Sequence, residues 1–528
     1  MITIDYRCAD GTPFPVTFET EGAAAQTWRL DREHSADPRT PLDVALMRLA
    51  LPETERAYGE VGLPVPGAFA ATPGAMGFPY SPTEFMSQDE MVQMINGCVA
   101  LVEKWGGALR IWHDLCLPKT KASLAFLDAA GDDVPVAELA GAERYGQQMT
   151  MVPAFICFGD LESIKGVIAP LYGERADIVA YELTQGYDNT TLLADQALWE
   201  LGRVALEHDA VMAAFGATDP ASAMRSLRAS GKATAFFDAV DSFLAAYGAR
   251  AEAWDIALPT WNEQGNGFWA ALSQLADPAA PAPTDAIAKA AARREQLAED
   301  IRAQLADDAN ALGRFHRRLE RVCSYVAVRE ERALWQVALT GSLRHAVLRR
   351  GARLVEQGML DDACDVFYLL PDEVERPPAD ARSIAARRRS EHERWKHVVP
   401  PVVIGGETPH QELPTVPVLP DDGIVRGVAA SRGLATGTAR VITDLADADR
   451  LEPGDVLVCI MTAPPWTPLF GIAAAIVADT GDLGSHPGIA AREYGIPCVL
   501  GTKIATSVIP DGALVTVDGE SGTVSLVC

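Results

Sequence analysis

The sequence predicts a multidomain α+β protein: a large, mainly helical domain followed by a small, β-rich α/β domain. Three observations predict it. Apolar residues recur at three- and four-residue spacing from about 84 to 395, six prolines interrupt the chain at 398–422, and short β-rich runs separated by Gly, Pro and Asp follow 423. With 528 residues, 48% of them hydrophobic, the chain exceeds one ordinary core.

At the start, "ITIDYR" and "FPVTFETE" alternate in period two around "CADGTP", which reads as a β-hairpin. The segments "DEMVQMINGCVALVEKW", "ADQALWELGRVALEHDAVMAAF", "TDAIAKAAARREQLAEDIRAQLADDANAL" and "ERALWQVALTGSLRHAVLRRGARLVEQGM" each read as a helix. Between them, "GNGFWAAL" at Gly265 reads as a loop with an isolated glycine pair. These elements make a helical domain over 1–397, with the hairpin at its N-terminus. The stretch "VVPPVVIGGETPHQELPTVPVLPDD", 398–422, has no helical period and reads as a semi-extended linker. Beyond it, "TARVITD", "DVLVCIM", "AAAIVAD", "PCVL", "ALVTVD" and "TVSLV" are strands, with one helix at 487–494, giving a compact domain over 423–528.

Composition excludes several function classes. Forty-five Lys plus Arg against 72 Asp plus Glu give a formal charge of -27, which repels phosphodiester backbones and anionic lipid, so neither nucleic acid nor membrane is an expected partner. The nine cysteines are scattered without a CxxC pair, which fits a reducing compartment and leaves no metal ligand set to name. No signal-type opening and no run of about 18 apolar residues occurs, so the expected localisation is cytoplasmic.

The chemistry concentrates in "TGDLGSHPGIAAREYGIP", 480–497. The strand "AAAIVAD" delivers the chain into a turn where Gly481 and Gly484 permit positive φ and close backbone approach, and Pro487 suits a first helical turn. His486 therefore falls at a helix N-terminus, whose free N–H groups and dipole disfavour a proton on the ring and favour an anion beside it. An imidazole kept neutral and nucleophilic there can accept a phosphoryl group. The same placement also suits a plain helix cap.

Residue identity separates the two readings. "SHPGIAAREYGIPCVLGT", with "IVRGVAASRGLATGTARVITDLADADRLEPGDVLVCIMTAPPWTPLF" and "VDGESGTVSLV", resembles the phosphohistidine domain of the PEP-utilising, phosphoenolpyruvate-synthase-like family. The resemblance implies a small swivelling β/β/α domain whose histidine, matched by His486, shuttles phosphate between two distant sites. It assigns Thr480, Gly481, Asp482, Ser485 and Arg492 to the phosphohistidine loop. Asp482 stands where the family usually has a second glycine, which places a carboxylate beside the loop.

A carrier needs a donor and an acceptor. Members of this family draw on ATP through an ATP-grasp domain or on PEP through a TIM barrel, and no sequence pattern for either appears in the 528 residues. The expectation is therefore ATP and Mg²⁺ held by a separate ATP-grasp-type subunit, with the phenylphosphate synthases as the two-component precedent. The helical domain resembles the substrate-binding region of the rifampin phosphotransferases in "TWRLDREHSADPRTPL", "LTQGYDNTTLLADQALWELG", "REERALWQ", "RRGARLVEQGMLDDACDVFYLLPDEV" and "IAARRRSEHERWKHVVPPVVIGG". That resemblance implies an apolar pocket for a hydroxylated, apolar or aromatic small molecule. It also carries the first two residues of the family's Arg-Glu-x-x-Lys group onto Arg329 and Glu330, with Ala333 at the lysine position.

Arg329 suits the neutralisation of phosphoryl oxygens and Glu330 the uptake of a hydroxyl proton, although adjacent charges on a solvated helix face look the same in sequence. Gln185, Asn189 and Thr190 are candidate pocket residues, and a helix-capping turn explains Asn189 and Thr190 equally well. The expected function is the phosphohistidine and substrate-binding component of an ATP-dependent phosphotransferase. The alternatives are a phosphorylation-driven dehydratase or rearrangement enzyme, and a catalytically silent small-molecule-binding protein.

Overall fold

The structure, a computed structural model, describes the whole chain except residues 33, 34, 36, 67–72, 85, 188, 189, 252–254, 409–416 and 528, and the side chains of 158, 327 and 330. By contacts it divides into two compact units. One comprises Met1–Ile156, Trp254–Leu258 and Trp335–Val416; the other comprises Cys157–Ala253, Pro259–Leu334 and Pro417–Cys528. The helical segments after residue 156 thus group largely with the C-terminal sheet, cutting across the 1–397 range read from the sequence.

In the first unit, β1 (Ile2–Arg7) and β2 (Pro13–Phe18) pair antiparallel, from Ile2 with Phe18 to Arg7 with Pro13. The strands β3 (Thr27–Leu30), β4 (Tyr80–Pro82) and β5 (Val403–Gly405) form a second small sheet with β3 in the middle. β5 corrects the linker reading of 398–422. Ile404 is buried in the cluster that holds Tyr6, Phe14, Trp28 and Trp395, and the Gly405 amide donates to the Tyr6 hydroxyl at 2.7 Å. Apolar β-branched residues beside a free strand edge pair with it despite the neighbouring prolines. Residues 409–416 of the same stretch lie outside the described ones.

The second unit holds both helices and the main sheet. Where the sequence reads one helix over 194–215, there are two, Thr190–Ala205 and Asp209–Phe215. Asp209 opens the second, in a first turn that favours an acid. Likewise 284–312 divides into Pro283–Gln304 and the start of Ala309–Glu356, because the Asp308 carboxylate accepts from the Ala311 amide at 2.8 Å and caps a new helix. The expected loop at Gly265 is in fact the helix Asn266–Leu275, which buries Phe268, Trp269 and Leu272. Burial of two aromatic rings outweighs the cost of one glycine in its first turn.

Eight strands follow: β6 (Ile424–Arg426), β7 (Val428–Ser431), β8 (Leu434–Val441), β9 (Val456–Cys459), β10 (Ala475–Ala478), β11 (Cys498–Leu500), β12 (Leu514–Asp518) and β13 (Thr523–Leu526). They form one sheet in the order β6-β13-β12-β8-β9-β10-β11-β7, with β8 to β11 parallel. The inner parallel strands β9, β10 and β11 are buried on both faces. Leu457, Cys459, Ile476 and Ala478 join one core, and Val456, Val458, Ala475 and Val477 the other. Such two-sided burial requires continuous apolar runs, as "VLVC" and "AIVA" are.

Two measurements test this account. Leu457→Ala, deep in the sheet, should cost about 2–5 kcal/mol in urea unfolding, whereas Leu514→Ala, at a 46% exposed position of the same sheet, should change stability by less than about 0.5 kcal/mol. The first unit also buries the acids Asp43 and Asp255 beside Arg39, whose Nη1 donates to Asp43 Oδ2 at 2.7 Å. Burial, and then the Asp255 charge, push the Asp43 carboxyl up to about 6 against the opposing pull of Arg39. A raised carboxyl binds its proton more tightly in the folded state, so its stabilising contribution is complete below the ordinary 3.8 and is lost as pH rises through about 6. Asp255→Asn should flatten the decline of unfolding free energy across that window.

Candidate functional site

The strand β10 ends at Ala478 and the chain turns through 479–485 into the helix His486–Tyr494, one residue longer than the sequence reading. His486 is its first residue and is half-buried. Ser485 occupies the N-cap position without making a side-chain cap. The first helical bond runs from the Ile489 amide to the Ser485 carbonyl at 3.1 Å, and the N-terminal amides before it face outward along the axis. His486 makes a contact sideways: Nε2 lies 3.0 Å from Thr467 Oγ1, which stands 2.9 Å from the Pro464 carbonyl oxygen. Thr467 is fully buried in the 3₁₀ segment Pro464–Gly471. Its only sequence signal was the quoted likeness of "TAPPWTPLF" to the family.

The loop residues hold the turn. Gly481 adopts φ +93°, and a Cβ there would stand 2.8 Å from Ser485 Oγ, so both conformation and space demand glycine. Gly484 does not have a positive φ; its demand is for space, because a Cβ would stand 2.8 Å from the Tyr181 hydroxyl. Asp482 directs Oδ1 to the amides of Gly484 at 2.8 Å and Ser485 at 2.9 Å. Its carboxylate is thus engaged by the turn's own donors, which answers the repulsion its position implies. Ser485 Oγ donates to the Asp482 carbonyl at 2.7 Å, and Thr480 Oγ1 donates to the Ile460 carbonyl at 3.0 Å. Arg492 lies beneath the turn with its guanidinium donating to the carbonyls of Leu483 at 2.6 Å and Ala430 at 2.7 Å. It is a brace rather than an open anion clamp. Burial first, and then the nearby Arg329 charge, lower its pKa to about 10.

Helical residues of the same unit face this turn. Tyr181 sets its hydroxyl against Gly484 while the Arg492 guanidinium lies 5.0 Å over its ring. Burial raises its phenol pKa, the Asp482 charge adds to the effect, and Arg492 and Arg329 oppose it, so the group is a neutral donor at pH 7. Arg329, half-buried on the long helix, reaches Thr184 Oγ1 at 3.5 Å, the outer limit of a hydrogen bond. It therefore shares one electrostatic neighbourhood with Tyr181 and Arg492. Glu330 follows on the same helix, and its side chain lies outside the described atoms. Gln185 is buried, its amide donating to the Tyr181 carbonyl at 3.0 Å and to Thr184 Oγ1 at 3.2 Å. Thr190 opens the helix Thr190–Ala205, and Asn189 lies outside the described residues.

Sequence reasoning missed Tyr181 and Thr467, which spacing alone does not mark. Among the described residues, no group of three or more His, Cys, Asp or Glu is placed to hold a metal ion, and no helix is long and apolar enough to cross a membrane. The cap role of Asp482 is testable. Asp482→Ala should cost about 0.5–2 kcal/mol in urea unfolding, and Asp482→Asn, which keeps the accepting oxygen, should recover most of it.

Residues 150–330 match the family model of the rifampicin phosphotransferase fourth domain, and residues 451–522 match that of the PEP-utilising enzyme mobile domain. A chondramide synthase, cmdD, from Chondromyces crocatus is 30% identical over 97% of this chain and 14% of its own length. The uncharacterized phosphotransferase YvkC of Bacillus subtilis is 30% identical over 69% of this chain and 45% of its own. A rifampicin phosphotransferase of Streptomyces sp is 33% identical over 45% of this chain and 28% of its own. The chain thus spans less than half the length of each of these relatives. The chain thus carries two regions, one matching the rifampicin phosphotransferase fourth domain and one the PEP-utilising mobile domain, and is similar over them to rifampicin phosphotransferases.

Proposed function

We propose that this chain is the phosphohistidine and acceptor-binding component of an ATP-dependent phosphotransferase acting on a hydroxyl of an apolar or aromatic small molecule. The observation that carries the reading is His486 at the first position of its helix, on a turn that packs against Tyr181 of the matched helical region. The phosphotransferase names of the relatives support the same reaction class. ATP and Mg²⁺ belong to the donor half-reaction, which we assign to an ATP-grasp-type partner.

In the acceptor half-reaction, the substrate oxygen attacks phosphorus, the P–N bond to His486 breaks, and its electron pair returns to the imidazole. The substrate proton passes to a base, for which Glu330 is the candidate. Arg329 neutralises the equatorial oxygens as charge redistributes. Afterwards 423–528 swings back to the donor.

A second reading rests on one comparison. Nearly the whole chain aligns within a small part of a synthase. A phosphorylation unit working on a biosynthetic intermediate would leave phosphate as a transient activating group, so that the net change is a dehydration or rearrangement.

Phosphoramidate, a chemical phosphodonor to histidine, tests the carrier role without the partner. The expected product is an acid-labile phosphate mapped to His486 and missing from His486→Ala; equal labelling of that variant, or label on serine or aspartate, would return the chain to a silent binding role. With labelled ATP and the partner present, Arg329→Ala should slow transfer to substrate about 10²- to 10³-fold. Glu330→Gln should slow it about 10²- to 10⁴-fold. Neither should slow formation of phospho-His486, as rapid-quench sampling of the two half-reactions would reveal.

A further inference from the structure

The helix that begins with His486 ends in "REY", capped by Gly495, and there the Arg492 carbonyl and the side chains of Glu493 and Tyr494 turn to the helical segments rather than to the imidazole. The Glu493 carboxylate is 1% exposed and accepts from the Gly186 amide at 2.8 Å. Tyr494 donates its hydroxyl to Asp195 Oδ2 at 3.3 Å. The Arg492 carbonyl accepts from Arg293 Nη2 at 3.1 Å, and the same guanidinium lies so close to Gly495, at φ +69°, that a Cβ would stand 3.0 Å from it. Beyond the helix, Arg432 pairs with Glu182. The receiving surface is firm. Gly186 adopts φ +70°, and a Cβ there would stand 2.1 Å from the Ala291 amide nitrogen, so its loop is pressed onto the helix Pro283–Gln304, while Arg294 donates to the Gln185 and Gly186 carbonyls at 2.7 and 3.0 Å.

We propose that Glu493, with the Arg432–Glu182 pair, is a docking latch that holds the histidine helix in its acceptor-facing orientation. It rests on the reading above, that His486 serves two sites. One end of the helix carries the reacting imidazole, and the other grips the loop Gln185–Gly186, so the latch fixes the helix axis and thereby the approach of the phosphoryl group. These are positioning residues, and their loss acts on one half-reaction. The bond from the Gly186 amide to Glu493 is also a contact that cannot persist once 423–528 departs.

Hydrogen exchange of the full chain, read by mass spectrometry on peptides covering 176–187, reports the latch directly. Arg432→Glu should speed exchange there by about tenfold, the factor that corresponds to about 1.4 kcal/mol of lost docking, and the charge-swapped pair Arg432→Glu with Glu182→Arg should restore protection. Glu493→Ala should open the same peptides, and Glu493→Gln, which keeps an accepting oxygen, should not. In the same samples, phosphoramidate labelling of His486 should proceed at least as fast as in the parent chain. Unchanged exchange in both Arg432→Glu and Glu493→Ala, or failure of the charge swap to restore protection, would overturn the latch. Failure of His486 to accept phosphate in the parent chain would instead overturn the carrier reading and leave the exchange result standing.

Discussion

The guanidinium of Arg492 is the fixed point on which the turn before His486 depends. It is almost fully buried and donates to the carbonyls of Leu483, in the turn, and Ala430, in β7. A buried cation keeps its charge only where acceptors surround it, so the turn and the strand are held where the arginine needs them. The remaining features follow. Leu483 fixed in this way leaves Gly484 against Tyr181, Asp482 free to cap the turn, and His486 at the start of a helix rather than within it.

The same residue links two kinds of work within nine positions. Its side chain supports the turn before the helix, while its backbone carbonyl takes Arg293 from the helical segments. A signature that reads in sequence as one catalytic motif divides in space into a chemical end and a contact end. The helix between them is only nine residues long, His486–Tyr494.

Much of the C-terminal sheet was legible because its signals are local. Apolar runs of four residues between Gly, Pro and Asp can hardly be other than buried strands, and a proline just after a histidine marks a helix start. What sequence did not give depended on distant partners. Val403–Gly405 is a strand because β3 offers an edge almost four hundred residues earlier in the chain, a contact no window of proline-rich sequence contains. Gly265 reads as a loop until Phe268 and Trp269 find their core. At the site, His486 and its loop were visible through identity and spacing. Tyr181 and Thr467 were not, since each matters only through what it touches, and Gln185, read as a pocket residue, spends its amide inside its own turn.

The Thr467 hydroxyl stands between the Pro464 carbonyl, which accepts, and His486 Nε2, which accepts or donates according to the ring's tautomer, and it owns one proton. If that proton goes to Pro464, the imidazole must donate from Nε2, and its basic lone pair resides on Nδ1. If it goes to the ring, Nδ1 carries the hydrogen and the proline carbonyl gives up this donor. The tautomer of the histidine is therefore tied to the hydrogen bonding of a buried segment 19 residues earlier in the chain. Any change of state at the ring is felt as a rearrangement in the interior of the fold, at a threonine that no solvent reaches.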